Sequence, residues 1–136
     1  MRVLVIDDDR FVLSMISIVL KAEGYEVTTV QSGPAGLAAF EPSKFDLLIV
    51  DIFMPGMDGV KSIKAFRQIN PLLPIIAISG VMLRASKRTA LDLFPLSPML
   101  AGVTCLQKPF KAQELLGAVL SLIGPAEKPT EAVERA

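Results

Sequence analysis

Asp51 directly follows a run of four apolar residues, Leu47 to Val50, and precedes a turn-rich segment that contains Gly56 and Gly59. A short apolar run between turn residues is typical of a strand buried on both faces of a sheet. Such strands occur mainly in parallel sheets that helices cover on both sides. Asp51 is therefore predicted to lie at the carboxyl end of a buried strand, where open α/β sheets carry their functional groups.

The start of the chain repeats this pattern. Residues 2–6 are mostly apolar and lead into three consecutive acidic residues, Asp7, Asp8 and Asp9. If both runs are strands of one parallel sheet, their carboxylates meet at the same edge. Clustered carboxylates repel one another unless a cation lies among them, so the first hypothesis for this edge is a hard metal ion.

Strand-like and helix-like segments alternate five times along the chain. Strands are predicted at 2–7, 25–30, 47–51, 74–80 and 103–107, and helices at about 11–20, 33–40, 58–69, 84–94 and 115–123. This alternation predicts an α/β fold with a parallel sheet and helices on both faces. With 136 residues, 51% of them apolar, the chain suits one domain.

The composition excludes several function classes. Lysine and arginine total 14, as do aspartate and glutamate, so the formal net charge is zero. Direct binding to nucleic acid or to an acidic membrane is therefore not expected. The apolar opening is too short for a signal peptide, and no stretch reaches the length of a membrane span. The lone cysteine, Cys105, fits a reducing compartment, and the predicted location is the cytoplasm.

The predicted strand ends carry a small set of reactive groups. Because the sequence has no histidine, carboxylates, lysine, serine and threonine must perform any chemistry. The ends of four strands supply the pair Asp7 and Asp8, then Asp51, Ser79 and Lys108. A carboxylate can attack phosphorus when a metal ion and a lysine neutralise the charge on the phosphoryl oxygens. These residues therefore indicate phosphoryl chemistry.

The chain resembles the receiver domain of two-component response regulators over about residues 2–123. The resemblance rests on four motifs that occur in the family's order: Val5-Ile6-Asp7-Asp8, the segment 51–59 (Asp-Ile-Phe-Met-Pro-Gly-Met-Asp-Gly), Ser79-Gly80 and Lys108-Pro109-Phe110. Each motif alone is weak, but the ordered set is highly specific. The resemblance implies a flavodoxin-like, doubly wound, five-stranded parallel sheet with strand order 2-1-3-4-5.

The resemblance also implies a phosphoacceptor and a metal site. Asp51 would take a phosphoryl group from a histidine kinase or a histidine phosphotransfer protein. Asp8, Asp51 and the backbone carbonyl of Phe53 would hold Mg²⁺, and Asp7 would assist directly or through water. Such a domain catalyses only its own phosphorylation and dephosphorylation, so the chain is not expected to be a turnover enzyme.

Two further residues would transmit the signal. By resemblance, Lys108 pairs with the phosphoryl oxygens, and Ser79 moves toward them as the switch. The bond between Lys108 and Pro109 is usually cis in the family. The family usually has tyrosine or phenylalanine three residues before the lysine, but this chain has Cys105. A cysteine is expected to pack there, with redox sensing as the alternative, and it cannot act as a swinging ring.

The domain is expected to span residues 1–123, followed by a flexible tail at 124–136 that is charged and contains little to bury. The family commonly contacts its downstream protein through its fourth helix, fifth strand and fifth helix. In this chain the fourth-helix region is longer than usual near 93–100, which predicts either a partner surface or extra local packing. A monomer and a phosphorylation-dependent dimer both remain open.

Two rival functions follow from the same residues. A pseudo-receiver would keep the fold and bind its partner without phosphorylation, which Cys105 and the altered fourth helix make conceivable. A phosphatase that forms an aspartyl phosphate would also use carboxylates and Mg²⁺. However, the sequence lacks an Asp-x-Asp pair on one loop and any insertion large enough for a substrate cap. The receiver is the preferred interpretation.

Overall fold

The computed structural model describes residues 1–41, 44–52, 59–79 and 102–126 of the chain. Strands and helices alternate through most of this part. The strands are β1 (Arg2–Ile6), β2 (Glu26–Val30), β3 (Leu47–Asp51), β4 (Ile75–Ser79) and β5 (Thr104–Gln107). The described helices are α1 (Arg10–Ala22), α2 (Gly33–Ala39), α3 (Gly59–Ile69) and α4 (Ala112–Ile123). The helix predicted at 84–94 and the long segment at 93–100 lie outside the described residues.

The five strands form one parallel sheet in the order β2-β1-β3-β4-β5. This confirms the predicted flavodoxin-like fold class and strand order. The sheet places β1 and β3 side by side, with Ile6 opposite Val50. The residues that follow these two strands therefore emerge at the same edge.

Alternate residues of the central strands face opposite sides of the sheet, so both sides carry a core. On one side Leu4, Ile6, Leu48 and Val50 pack with residues of α3, including Phe66. On the other side the neighbouring residues of the same strands pack against α1 and α4; they include Val3, Val5, Leu47, Ile49, Ile16 and Leu115. Burial on both faces explains why these strands appear in the sequence as continuous apolar runs.

Polar side chains and one glycine fix the ends of the first two helices. Asp9 is the N-cap of α1, because its carboxylate accepts a hydrogen bond from the amide of Phe11. Ser32 caps α2 through the amide of Ala35. After α1 the chain turns at Gly24, whose φ of 94° favours glycine.

In the described ranges, no helix is both long enough and apolar enough to cross a membrane.

Helix α2 approaches β1 closely at Gly36. A Cβ atom at this position would overlap Cδ1 of Ile6 and would lie 3.4 Å from Cζ of Phe66. Both side chains are completely buried, so neither has free space into which it could move. The close packing of α2 against the sheet therefore depends on the lack of a side chain at Gly36.

We predict that Gly36→Ala lowers the free energy of unfolding by about 1–3 kcal/mol, because the added methyl group overpacks the core around Ile6. The control is Gly117→Ala in α4, where an added Cβ meets no atom within 4 Å. Alanine should stabilise that helix by up to about 1 kcal/mol. Urea denaturation of both variants measures the difference. Equal stabilisation by the two substitutions would contradict the close packing at Gly36.

Candidate functional site

Four strands deliver their polar residues to one edge of the sheet. Asp7 follows β1, Asp51 ends β3, Ser79 ends β4 and Lys108 follows β5. The strand ends are also in register, since Asp51 lies opposite Ile78, and the amide of Lys108 donates a hydrogen bond to the carbonyl of Ser79 at 2.7 Å. The sheet therefore gathers residues that are far apart in the sequence.

Lys108 joins two of the carboxylates. Its Nζ lies 3.0 Å from Oδ2 of Asp7 and 3.1 Å from Oδ2 of Asp51, to which it donates a hydrogen bond. The two carboxylates are almost fully buried, whereas the lysine side chain is 22% exposed. The bond between Lys108 and Pro109 is cis, as the resemblance implied. One ammonium group thus lies between two acids from different strands.

Asp7 is the most deeply buried acid of the site, with no exposed surface. Its Oδ1 accepts a hydrogen bond from the amide of Asp9 at 2.9 Å, while Oδ2 lies 3.0 Å from the ammonium group of Lys108. Burial raises the pKa of Asp7 most strongly, and the charge of Asp51 raises it further. The bond from Asp9 and the contact with Lys108 act in the opposite direction, and the resulting pKa is about 6.

Lys108 keeps its proton at neutral pH. Burial alone would lower the pKa of its ammonium group, but the contact with Asp7 and the negative charge of Asp51 outweigh burial and raise the pKa. The lysine is therefore a fixed positive charge at the carboxyl end of the sheet. A group of this kind can neutralise part of a negative charge that enters the site.

Three carboxylates at this edge could hold a metal ion. Asp7, Asp8 and Asp51 each offer one oxygen, and these oxygens all lie within 4.8 Å of one another. Asp7 and Asp51 are buried, whereas Asp8 is exposed and leaves the cluster open to solvent. Oxygen donors of this type are those that Mg²⁺ prefers. Oδ2 of Asp7 already lies 3.0 Å from the ammonium group of Lys108, so a metal ion would share this oxygen with the lysine.

The structure locates most of the predicted site residues. Ser79 is 4% exposed at the end of β4, beside the strand that leads to Lys108. Phe53, the predicted carbonyl ligand, lies outside the described residues. Cys105 on β5 is half-buried, packs against the core on the α3 side and has its pKa raised by burial to about 11. A protonated, packed thiol agrees with the expectation that Cys105 is a packing residue.

In the sequence analysis, Asp9 has no role beyond its place in the run of three acidic residues. The carboxylate of Asp9 caps α1, and its backbone amide also orients Asp7. A side chain that accepts from the amide two residues later forms an Asx-turn, which is a common local motif for aspartate. Three consecutive acidic residues before a helix are the signal that could have indicated this arrangement.

The comparison with protein families gives one match that covers most of the chain. A sequence profile of the family described as "Response regulator receiver domain" matches residues 3–120. Among curated proteins, Sensory transduction protein RegX3 of Mycolicibacterium smegmatis is 28% identical over 89% of this chain. The sensor histidine kinase GacS of Pseudomonas protegens is 34% identical over 98% of this chain, but the match covers only 15% of that kinase. This chain spans about half the length of the RegX3 relatives.

Solved structures share the fold over nearly their whole length. A response regulator receiver domain protein from Clostridium thermocellum has a TM-score of 0.77 and 31% identity, with 90% of this chain and 93% of that chain covered. The chemotaxis protein CheY4 of Vibrio cholerae has a TM-score of 0.76 and 28% identity, with 89% and 97% covered. These structures have the same arrangement of strands and helices that positions the acidic cluster.

We predict that Asp7→Asn removes a pH dependence of stability from the metal-free protein. Between about pH 4 and 6 the folded wild type binds a proton at Asp7 that the unfolded chain has released, so its free energy of unfolding falls as pH rises. Asparagine cannot ionise, so at pH 8 the variant should be more stable than wild type by up to about 3 kcal/mol. Urea denaturation from pH 4 to 8 measures this difference.

The matched control for Asp7→Asn is Glu41→Gln, which removes an exposed carboxylate that pairs with Lys44. That change should leave the pH dependence unaltered, because an exposed ion pair contributes little. The account of Asp7 as a buried acid with a raised pKa would be contradicted by either of two results. The Asp7→Asn protein could be less stable than the wild type at pH 8, or its free energy of unfolding could change with pH between 4 and 6 as steeply as that of the wild type.

Proposed function

This chain belongs to the response regulator receiver domain family, and we propose on that premise that Asp51 is its phosphoacceptor. The domain is a receiver of two-component signalling. The observation that carries the proposal is the contact of Lys108 with both Asp7 and Asp51 at 3.0 and 3.1 Å. This arrangement gives the acceptor carboxylate a neighbouring positive charge and an adjacent acidic cluster.

The proposed reaction is a transfer from phosphohistidine to Asp51. One carboxylate oxygen of Asp51 attacks phosphorus, the new O–P bond forms as the N–P bond breaks, and the electron pair of that bond stays on the donor imidazole. Asp51 is 4% exposed, so only one small face of it is open to the incoming group. Lys108 supplies positive charge that stabilises the phosphoryl oxygens in the transition state.

Mg²⁺ is proposed as the cofactor, held by Asp7, Asp8, Asp51 and the backbone carbonyl of Phe53. When bound, Mg²⁺ supplies positive charge to the carboxylate and phosphoryl oxygens. The cluster of three carboxylates supports this assignment. Phe53 enters the proposal through family resemblance, since it lies outside the described residues.

Ser79 is proposed as the switch residue that responds to the phosphoryl group. It is the last residue of β4, the strand that pairs with β3 and Asp51, and its carbonyl accepts a hydrogen bond from the amide of Lys108, so a shift of either residue affects the other. The phosphodonor is proposed to be a histidine kinase or a histidine phosphotransfer protein. The downstream protein is proposed to bind the face that the family forms from its fourth helix, fifth strand and fifth helix. In this chain β5 is that fifth strand, and α4 takes the place of that fifth helix.

We also propose that residues 1–123 form the receiver domain and that 124–136 form a flexible C-terminal tail. The last helix ends at Ile123, and the family match ends at residue 120. The hydroxyl of Tyr25 donates a hydrogen bond to the carbonyl of Gly124 at 2.5 Å, which attaches the first residue of the tail to the domain. Residues 127–136 lie outside the described residues.

Intact mass spectrometry after incubation with acetyl phosphate and Mg²⁺ tests the phosphoacceptor. We expect one added phosphoryl group on the wild type and none on Asp51→Asn, which keeps the shape of the side chain but is a poor nucleophile. Lys108→Met should reduce the rate at least tenfold, because typical losses for a removed electrostatic group reach about 10²–10³.

The control is Lys111→Met, which removes an exposed lysine three residues away. It should be phosphorylated like the wild type. Absence of any adduct in a folded, Mg²⁺-binding wild type would support the pseudo-receiver instead. An adduct that persisted in Asp51→Asn would refute Asp51 as the acceptor.

A further inference from the structure

A groove lies beside the acidic site, at the outer edge of the sheet. Its volume is about 810 Å³, and it runs between α1 and the segment that joins β2 to α2. One wall carries Arg10, Ser14 and Ser17 of α1, and the other carries Thr29, Gln31 and Ser32. The proposed phosphoacceptor site uses none of these residues.

The edge strand β2 exposes main-chain groups at and beside this groove: Thr29 lines the groove, and Val27 lies two residues before it on the same strand. Among the described strands, β2 pairs only with β1. The amide of Glu26 donates to the carbonyl of Met1, and the carbonyl of Val30 accepts from the amide of Asp7, so both groups face the β1 side. Because successive residues of a strand point their main-chain groups in opposite directions, the amides and carbonyls of Val27 and Thr29 face away from the sheet. Within the described residues no hydrogen bond reaches these outward groups. They can accept a further strand.

The charge of the groove favours one kind of partner. Among the described residues that line the groove, Arg10 is the only charged one, and none carries a carboxylate. Within the described part of the chain, no ion pair involves Arg10. The hydroxyl groups of Ser14, Ser17 and Thr29 can exchange hydrogen bonds with polar side chains. An entering segment would therefore gain most from a carboxylate near Arg10.

We propose that this groove binds an extended, acidic peptide segment of a partner protein, which adds to β2 as a further strand. The main chain of the peptide pairs with Val27 and Thr29, and a glutamate or aspartate of the peptide pairs with Arg10. Strand addition of this kind takes its affinity from main-chain hydrogen bonds and its specificity from side-chain contacts. The site is independent of the phosphorylation of Asp51.

The charges of α1 argue against a second copy of this chain as the occupant. Arg10 and Lys21 are eleven residues apart and lie on the same side of the helix, because eleven residues make just over three full turns. Two copies that paired antiparallel through β2 would bring Arg10 of one copy toward Lys21 of the other. Like charges at that boundary would repel. A peptide carboxylate placed at Arg10 would instead be attracted to the guanidinium group.

The test uses the full chain, labelled with ¹⁵N and without a phosphodonor, and capped hexapeptides of alternating threonine and valine. One peptide carries a glutamate in the middle, and two matched peptides carry glutamine or lysine there. The glutamate peptide should shift the amide signals of Val27 and Thr29 and slow their hydrogen exchange. It should bind about two- to fivefold more tightly than the glutamine peptide, as expected for an exposed ion pair.

Three variants separate the contribution of the charge on Arg10 to peptide binding from that of the main-chain hydrogen bonds. Arg10→Gln should abolish the preference for glutamate, whereas Lys21→Gln, which removes an exposed cation outside the groove, should preserve it. Thr29→Pro removes an outward amide without removing a bond to β1, so it should weaken every peptide at least fivefold. Circular dichroism and phosphorylation by acetyl phosphate check that this variant is folded.

Several outcomes would overturn the proposal. Equal binding of the glutamate and lysine peptides would show that Arg10 has no role. Equal binding of the parent peptide and a peptide whose amides are methylated would show that the main-chain hydrogen bonds have none. Signal changes confined to Phe11, an exposed apolar residue of α1 that does not line the groove, would indicate docking elsewhere on that helix instead. No saturable binding of any peptide to the wild type at millimolar concentration would refute strand addition.

Discussion

The ion pairs of Lys108 with Asp7 and Asp51 are the interaction on which the site depends. Three carboxylates, if ionised, and one ammonium group leave this edge of the sheet with two net negative charges. Burial makes that excess costly, as the raised pKa of Asp7 shows. A divalent cation and a transferred phosphoryl group would each change this balance, so the site is sensitive to the ligands that the proposed function requires.

The fold determines where these charged groups lie relative to one another. β1, β3, β4 and β5 are parallel, so the residues at their carboxyl ends reach one edge although they lie up to 101 residues apart. Packing on both faces holds the strands in register, and the close contact at Gly36 is one part of that packing. The stability of the core and the distances within the site are therefore connected through the strand register.

Most of the fold and the composition of the site could be predicted from the sequence. Continuous apolar runs ending in Asp51 and before Asp7 indicate buried parallel strands, and the motif order through Lys108 indicates the family. The pKa of Asp7 and its contact with the amide of Asp9 could not be predicted, because both depend on burial and on how the chain turns after β1. The exposed groove beside β2 also requires the positions of two helices, which no local pattern specifies.

Calorimetric titration with Mg²⁺ of the wild type, Lys108→Met and Lys111→Met tests the central claim most directly. If Lys108 and Mg²⁺ share the same carboxylates, the wild type should bind one ion. Lys108→Met should bind it more tightly, because a competing positive charge has been removed. Lys111→Met, which alters an exposed lysine outside the cluster, should match the wild type. No saturable binding, or equal affinity in both lysine variants, would contradict the account.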